Sequence, residues 1–248
     1  MIIATSSIFS CFNELKFFIS TKCGGVSPPP YFLNLSFNVN DSAKNVEMNR
    51  KLFFDTIKVN QNNVAFTKQV HSDAVTVVQN AGIYPDCDAL VTNRKEIYLS
   101  ISIADCVPIF LYDHSKHAIA AVHSGWKGSK DKILLKAIKV MEREFNSQTK
   151  DIFAYIGYAA SKCCYEVESD VAFQFEEKYY QKKDESKFLL DLKSFNSDIL
   201  IEVGVPKNQI EISEFCTICK PNLLHSYRRD GKDAGRMFGI IGMENEKI

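Results

Sequence analysis

Two periodicities alternate along the 248-residue chain. In the first, apolar residues recur at three- and four-residue intervals. Ile133, Leu134, Ala137, Ile138, Val140, Met141 and Phe145 mark one face of a helix. The segment Met48–Ile57 fits a shorter one, and residues 169–180 and 191–203 read as two more, the last stopped by Gly204 and Pro206. In the second, short apolar runs are bounded by turn residues, as in strands. Such runs cover 64–70, 74–78, 98–103, 108–112, 118–122, 151–156 and 210–213, with a last short strand in the tail RMFGIIGM. Residues 21–34 hold Gly24–Gly25 and Pro28–Pro30, which break both patterns and predict a loop. Strands and helices mix without strict alternation. That order predicts an α+β, mixed α/β layered fold, with residues 1–248 forming one domain.

Composition narrows the function classes. Lys plus Arg number 30 and Asp plus Glu number 30, so the chain lacks the basic surplus of a general nucleic-acid binder. No apolar run approaches the roughly 20 residues needed to cross a bilayer. No secretory signal is evident at the start. The eight cysteines are irregularly spaced in a chain long enough to build its own core, so reduced thiols in a cytoplasmic protein are expected. Together these features argue against nucleic acid and membrane as partners.

Three residues stand where predicted strands end or break: His71, Cys106 and His123. Strand ends of one sheet can lie side by side, so distant residues can meet there. A thiolate and two imidazoles suit zinc, and three protein ligands leave a fourth position for water, whose pKa zinc lowers to about 7. Copper accepts the same set. Spacing alone leaves two other readings open. Cys106 could be a nucleophile with His71 or His123 as its base, or a small core residue unrelated to both. Asp105 could orient an imidazole or position substrate.

The remaining motifs are less specific. HSGWKG, residues 123–128, joins a strand to a helix start and could offer backbone N–H groups and Lys127 to an anion. SYRRDG brings Arg228 near a turn, where it could clamp phosphate or a carboxylate. Cys216-x-x-Cys219 is half of a zinc ribbon without its other half. The adjacent Cys163 and Cys164 are poorly placed to give two ligands to one tetrahedral ion. Both pairs therefore read as structural. His114 and His117 flank a polar turn and should be solvated.

Taken together, the segments TKCGGVS, YFLNLSFNVND, Asn49–Arg50, KQVHSD, DALVTN, ADCVPI, AVHSGWKG, CCYEV and SYRRDGKDAGRM resemble the bacterial YfiH-like family, also called the multicopper polyphenol oxidase or laccase-domain family. The resemblance runs almost end to end. It implies an α+β single-domain core and a metal site whose ligands fall on His71, Cys106 and His123. It implies zinc-dependent chemistry on purine nucleosides and phosphate: phosphorolysis of adenosine, inosine and methylthioadenosine, and deamination of adenosine. Copper-linked phenol oxidation and a peptidoglycan-precursor-editing amidase activity are also attributed to the family. Five histidines in all are too few for several coppers, which makes a laccase role the weakest of these. The chain departs from the family at Lys22 and Lys127, where Arg is usual, and at GYAASK, residues 157–162, before CCYEV. The two lysines keep charge but lose the bidentate fork.

Overall fold

A computed structural model describes residues 1–245; the last three residues of the expected 1–248 unit lie outside the described residues. Two six-stranded sheets form the centre. The first runs Ile3–Ala4, Leu15–Ser20, Met237–Met243, Tyr98–Ile103, Val64–Lys68, Gly82–Pro85 in spatial order. The second runs Ile210–Ile212, Ile152–Ile156, Val107–Asp113, Ala118–Ser124, Ala89–Thr92, Val75–Val77. A small third sheet is made of Glu166–Glu168, Lys187–Leu190 and Tyr180–Lys182.

The period of two in each strand sorts its side chains between layers. Along Val107–Asp113, Phe110 and Tyr112 enter the core between the large sheets, where they meet Phe17, Leu99, Ile101 and Ile241. Ile109 and Leu111 point the other way, onto Leu134, Ala137, Ile138 and Met141 of the helix Ile133–Phe145. The outer face of the first sheet carries Tyr98, Phe238 and Ile240, covered by Phe53, Phe54 and Ile57 of the helix Ala43–Ile57. The result is four layers: helix, sheet, sheet, helices. Sheets buried on both faces need continuous apolar runs, which is why these strands read as runs rather than as alternations.

The expected α+β layered class agrees with this architecture. The loop at 21–34, the helix Ile133–Phe145 and the helix Leu192–Glu202 lie where the pattern placed them. The strands Leu15–Ser20, Gly82–Pro85, Ala89–Thr92 and Lys187–Leu190 lie outside the predicted runs, and one predicted element differs. Residues 169–180 are not a single helix: α-helix covers only Ser169–Ala172, Glu177–Tyr179 forms one 3-10 turn, and Tyr180–Lys182 is a strand paired antiparallel with Lys187–Leu190. Tertiary packing overrides the helical spacing. Phe175 and Tyr179 each lie edge-on to Phe195 with ring centroids 5.0 Å apart, and aromatic residues have little helix propensity to oppose this. The tail also gains importance. Met237–Met243 is a seven-residue central strand, hydrogen-bonded to Leu15–Ser20 on one side and Tyr98–Ile103 on the other.

Gly239 in that strand faces the second sheet, and a Cβ there would sit 2.3 Å from Phe110 Cζ. Gly239→Ala is therefore expected to cost about 1–3 kcal/mol by overpacking. A urea titration should show a lower midpoint with an unchanged slope; an unchanged midpoint would mean that the sheets can separate locally at no cost.

Candidate metal and substrate site

The chain crosses from the first sheet to the second three times, and two of the crossings carry a predicted ligand. Between Val64–Lys68 and Val75–Val77 stands His71, and between Tyr98–Ile103 and Val107–Asp113 stands Cys106. Both crossings need backbone turned into the left-handed region: His71 has φ 60° and Asp105 has φ 91°. Such conformations cost free energy in non-glycine residues and persist only where the surroundings hold them. His123 completes the group from the second sheet, with its Cα opposite that of Pro108. The three sequence-predicted ligands do converge, and their ligand atoms lie within 4.8 Å of one another. The two imidazoles meet edge-on with centroids 5.0 Å apart. His71 is exposed, Cys106 half-buried and His123 buried.

Asp88 holds the arrangement. Its side chain is fully buried and accepts five hydrogen bonds. Oδ1 accepts from His123 Nδ1 at 2.8 Å and from the His71 backbone N–H at 3.1 Å. Oδ2 accepts from the backbone N–H groups of Val70 at 3.2 Å and Ser72 at 2.7 Å, and from the Ser72 hydroxyl at 2.8 Å. Burial pushes the carboxyl up, but these donors, His123 foremost, outweigh it and bring it down to about 2. An ionised carboxylate accepts only, so the proton of neutral His123 sits on Nδ1 and Nε2 keeps the lone pair. Asp88 thus sets the His123 tautomer and the strained turn of His71 together. Asp105 does not orient an imidazole: it accepts from the Thr217 hydroxyl at 2.5 Å and the Arg228 backbone N–H at 2.6 Å.

The electrostatics favour a charged sulfur. Burial pushes the Cys106 thiol up, yet the His123 and His71 imidazoles overcome it and take it down to about 6. Burial pushes His123 down, and the Cys106 thiolate with Asp88 carries it up to about 9. The metal-free protein therefore holds a thiolate–imidazolium pair. The donor set fits a divalent cation replacing that proton: a thiolate, two imidazoles and a carboxylate behind one of them. Gly125 is needed for close approach here. A Cβ at this position would lie 3.0 Å from Cys106 Sγ and 3.3 Å from His71 Cδ2. In chelator-stripped protein, iodoacetamide should alkylate Cys106 with half-maximal rate near pH 6, slowly below and fast above, because only the thiolate reacts. Mass-mapped rates across pH 4–9 check this, and a midpoint at pH 8 or higher would remove the ion pair.

The three residues floor a cavity of about 450 Å³. Its walls include Asp105, Tyr165, Tyr227, Arg228 and Arg236. Arg228 arches over the rim, with its guanidinium carbon 5.3 Å from the Tyr165 ring centroid and Nη1 donating to the Glu166 carbonyl at 2.8 Å. Arg236 lies deeper, half-buried, and donates to the carbonyls of Ala234 and Gly235. Lys127 is not among the lining residues; it is exposed on the short helix Trp126–Lys130, with Nζ 5.6 Å from the Trp126 ring centroid. Lys22 stacks on Phe32 at 4.8 Å, also off the lining. His114 and His117 are exposed at their turn. Sequence reasoning missed Asp88, Arg236, Tyr165 and Tyr227 as site residues. Asp88 alone carried a signal, as a charge at the head of the apolar strand Ala89–Thr92.

Comparison with known proteins places these features in a wider group. The family described as multi-copper polyphenol oxidoreductase laccase matches residues 16–244. The purine nucleoside phosphorylase YlmD of Bacillus subtilis is 33% identical over 91% of this chain and 87% of its own length. A purine nucleoside phosphorylase of Clostridium acetobutylicum is 38% identical over 84% of this chain and 86% of its own. Among solved structures, a hypothetical protein YfiH of Bacillus licheniformis superposes with a TM-score of 0.90 at 32% identity, covering 94% of both chains. YlmD from Geobacillus stearothermophilus superposes with a TM-score of 0.91 at 28% identity, covering 97% of this chain and 94% of its own.

Proposed function

The chain belongs to the multi-copper polyphenol oxidoreductase laccase family, and from that premise we propose that it is a purine nucleoside phosphorylase working in the Cys106 cavity. The observation that carries the reading is the convergence of His71, Cys106 and His123 on the floor of a cavity sized for a small molecule. Relatives named purine nucleoside phosphorylase over most of both chains supply the substrate class.

In this reading His71, Cys106 and His123 hold zinc, and Asp88 fixes the His123 ring for it. Zinc, when bound, supplies Lewis acidity at the cavity floor. The catalytic-zinc pattern of three protein ligands and an open position favours zinc over copper. The Tyr165 and Tyr227 rings provide faces for a purine. The Arg228 and Arg236 guanidinium groups offset phosphate charge; Arg228 takes the role that the sequence divided between it and Lys127. In phosphorolysis a phosphate oxygen bonds to the sugar C1′ as the bond to the purine breaks, and the purine leaves with the electron pair and gains a proton. Adenosine, inosine and methylthioadenosine are the proposed substrates, with adenosine deamination as a side activity of the same cavity.

A multicopper oxidase reading has little to build on. Of the two clusters that could hold a metal among the described residues, one contains histidine. The Cys106 thiolate favours one alternative, a thiol hydrolase or amidase acting on a cell-wall precursor. Chromatography of adenosine incubated with and without phosphate separates these readings. Adenine appearing only with phosphate is the expected result, and inosine in both samples marks deamination. No nucleoside turnover alongside cleavage of a muramyl peptide would replace this reading with the alternative.

A further inference from the structure

A second group of potential ligands lies apart from the Cys106 floor. By sequence, the adjacent Cys163 and Cys164 are poorly placed to give two ligands to one ion, and Cys216-x-x-Cys219 lacks its other half. The fold supplies that half. A turn after Ala160 folds back on itself, with the N–H groups of Cys164 and Tyr165 both donating to the Ser161 carbonyl at 2.9 Å. Ala159 bridges Cys216, and the Thr217 N–H donates to the Ala159 carbonyl at 3.0 Å. These contacts bring four sulfurs together within 4.8 Å of one another. Cys219 Sγ lies 3.1 Å from Cys164 Sγ and 3.5 Å from Cys163 Sγ. A sulfur tetrahedron around zinc, with bonds of about 2.3 Å, has edges of about 3.8 Å, so small side-chain adjustments suffice.

We propose that Cys163, Cys164, Cys216 and Cys219 bind one zinc ion as a closed structural site that fastens the wall of the cavity. Two features besides the sulfurs support it. The Ser161 backbone N–H donates to Cys216 Sγ at 3.5 Å, and the backbone of Ile218 and Cys219 also favours its thiolate. Such N–H···S bonds stabilise metal-bound thiolates. Buried Lys193 stands behind the cluster, its ammonium donating to the Ser213 and Phe215 carbonyls at 2.7 and 2.8 Å. A positive charge there offsets the net negative charge of a zinc tetrathiolate. The four sulfurs join the 157–165 segment, which ends in Tyr165, to the 213–219 segment, whose Thr217 holds Asp105. The site is closed, with four protein ligands, and so is structural rather than catalytic. It holds whether or not the nucleoside reading does.

The test uses the full chain with the first site removed, His71→Ala/Cys106→Ala. That protein is expected to retain about one zinc per chain, with X-ray absorption showing only sulfur neighbours at about 2.3 Å. Adding Cys163→Ser and Cys219→Ser, both at exposed positions, should remove the ion and lower the melting temperature while the circular dichroism spectrum is kept. Nitrogen or oxygen neighbours, iron in place of zinc, or no metal at all would overturn the proposal. So would disulfides among the four cysteines in samples trapped with alkylating agent at lysis.

Discussion

Cys106→Ala is expected to lower kcat/KM for inosine phosphorolysis about 10³-fold or more, equivalent to about 4 kcal/mol of transition-state stabilisation. The substitution removes the one anionic ligand of the His71–Cys106–His123 group and the partner that keeps His123 charged in the metal-free protein. It should remove the zinc of this site as well, since two imidazoles alone hold the ion poorly. The fold should change little: Cys106 is half-buried at a crossing between sheets, and losing one sulfur there costs about 1 kcal/mol. Steady-state rates, metal content and a thermal melt on the same preparation separate these effects. A rate within tenfold of the unmodified chain would place the chemistry elsewhere.

Asp88→Asn is the second large effect, and it acts without touching substrate. An amide presents one oxygen and one NH₂ where the carboxylate accepts five bonds. At least one buried donor among His123, the Val70–Ser72 backbone and the Ser72 hydroxyl loses its partner, and the NH₂ is forced against another N–H. A zinc affinity 10–100-fold weaker follows from losing control of the His123 tautomer. A stability loss of about 2–4 kcal/mol follows from the orphaned buried groups. Competition with a chelator of known affinity and a denaturant titration measure the two. Unchanged affinity would show that the His123 ring is held by packing and that Asp88 only closes the turn.

Much of the layered architecture is visible in the residues themselves. The runs at 107–113 and 118–124 are apolar on both faces, which only a sheet covered on both sides requires, whereas 98–103 alternates through Ser100 and Ser102. The helix Ile133–Phe145 shows its buried face in the spacing of Leu134, Ala137, Ile138 and Met141. Where periodicity failed, at 169–180, the deciding contacts are distant: Phe195 takes Phe175 and Tyr179, while Phe188 in the strand Lys187–Leu190 takes Phe173 and Tyr180. The convergence of His71, Cys106 and His123 was legible because they sit at strand ends, where side chains from separate strands can meet. Its supports were not. Asp88 shows in the sequence only as a charge at the head of the apolar run 89–92, and its partners appear once the turn at His71 is folded over it. Tyr165 and Arg228 are more than sixty residues apart and meet only because the small third sheet and the 213–228 segment converge on the cavity. The four-cysteine group was hidden for the same reason: no local pattern shows that Ala159 pairs with Cys216.

Metal-dependent phosphorolysis in this cavity is tested most directly by following hypoxanthine release from inosine and phosphate in parallel samples of the unmodified chain and of His71→Ala, each stripped by chelator and then given zinc. The expected result is release by the unmodified chain that disappears on stripping and returns with zinc, and no recovery in His71→Ala. Release that survives stripping, or that is undiminished in His71→Ala, would contradict the account.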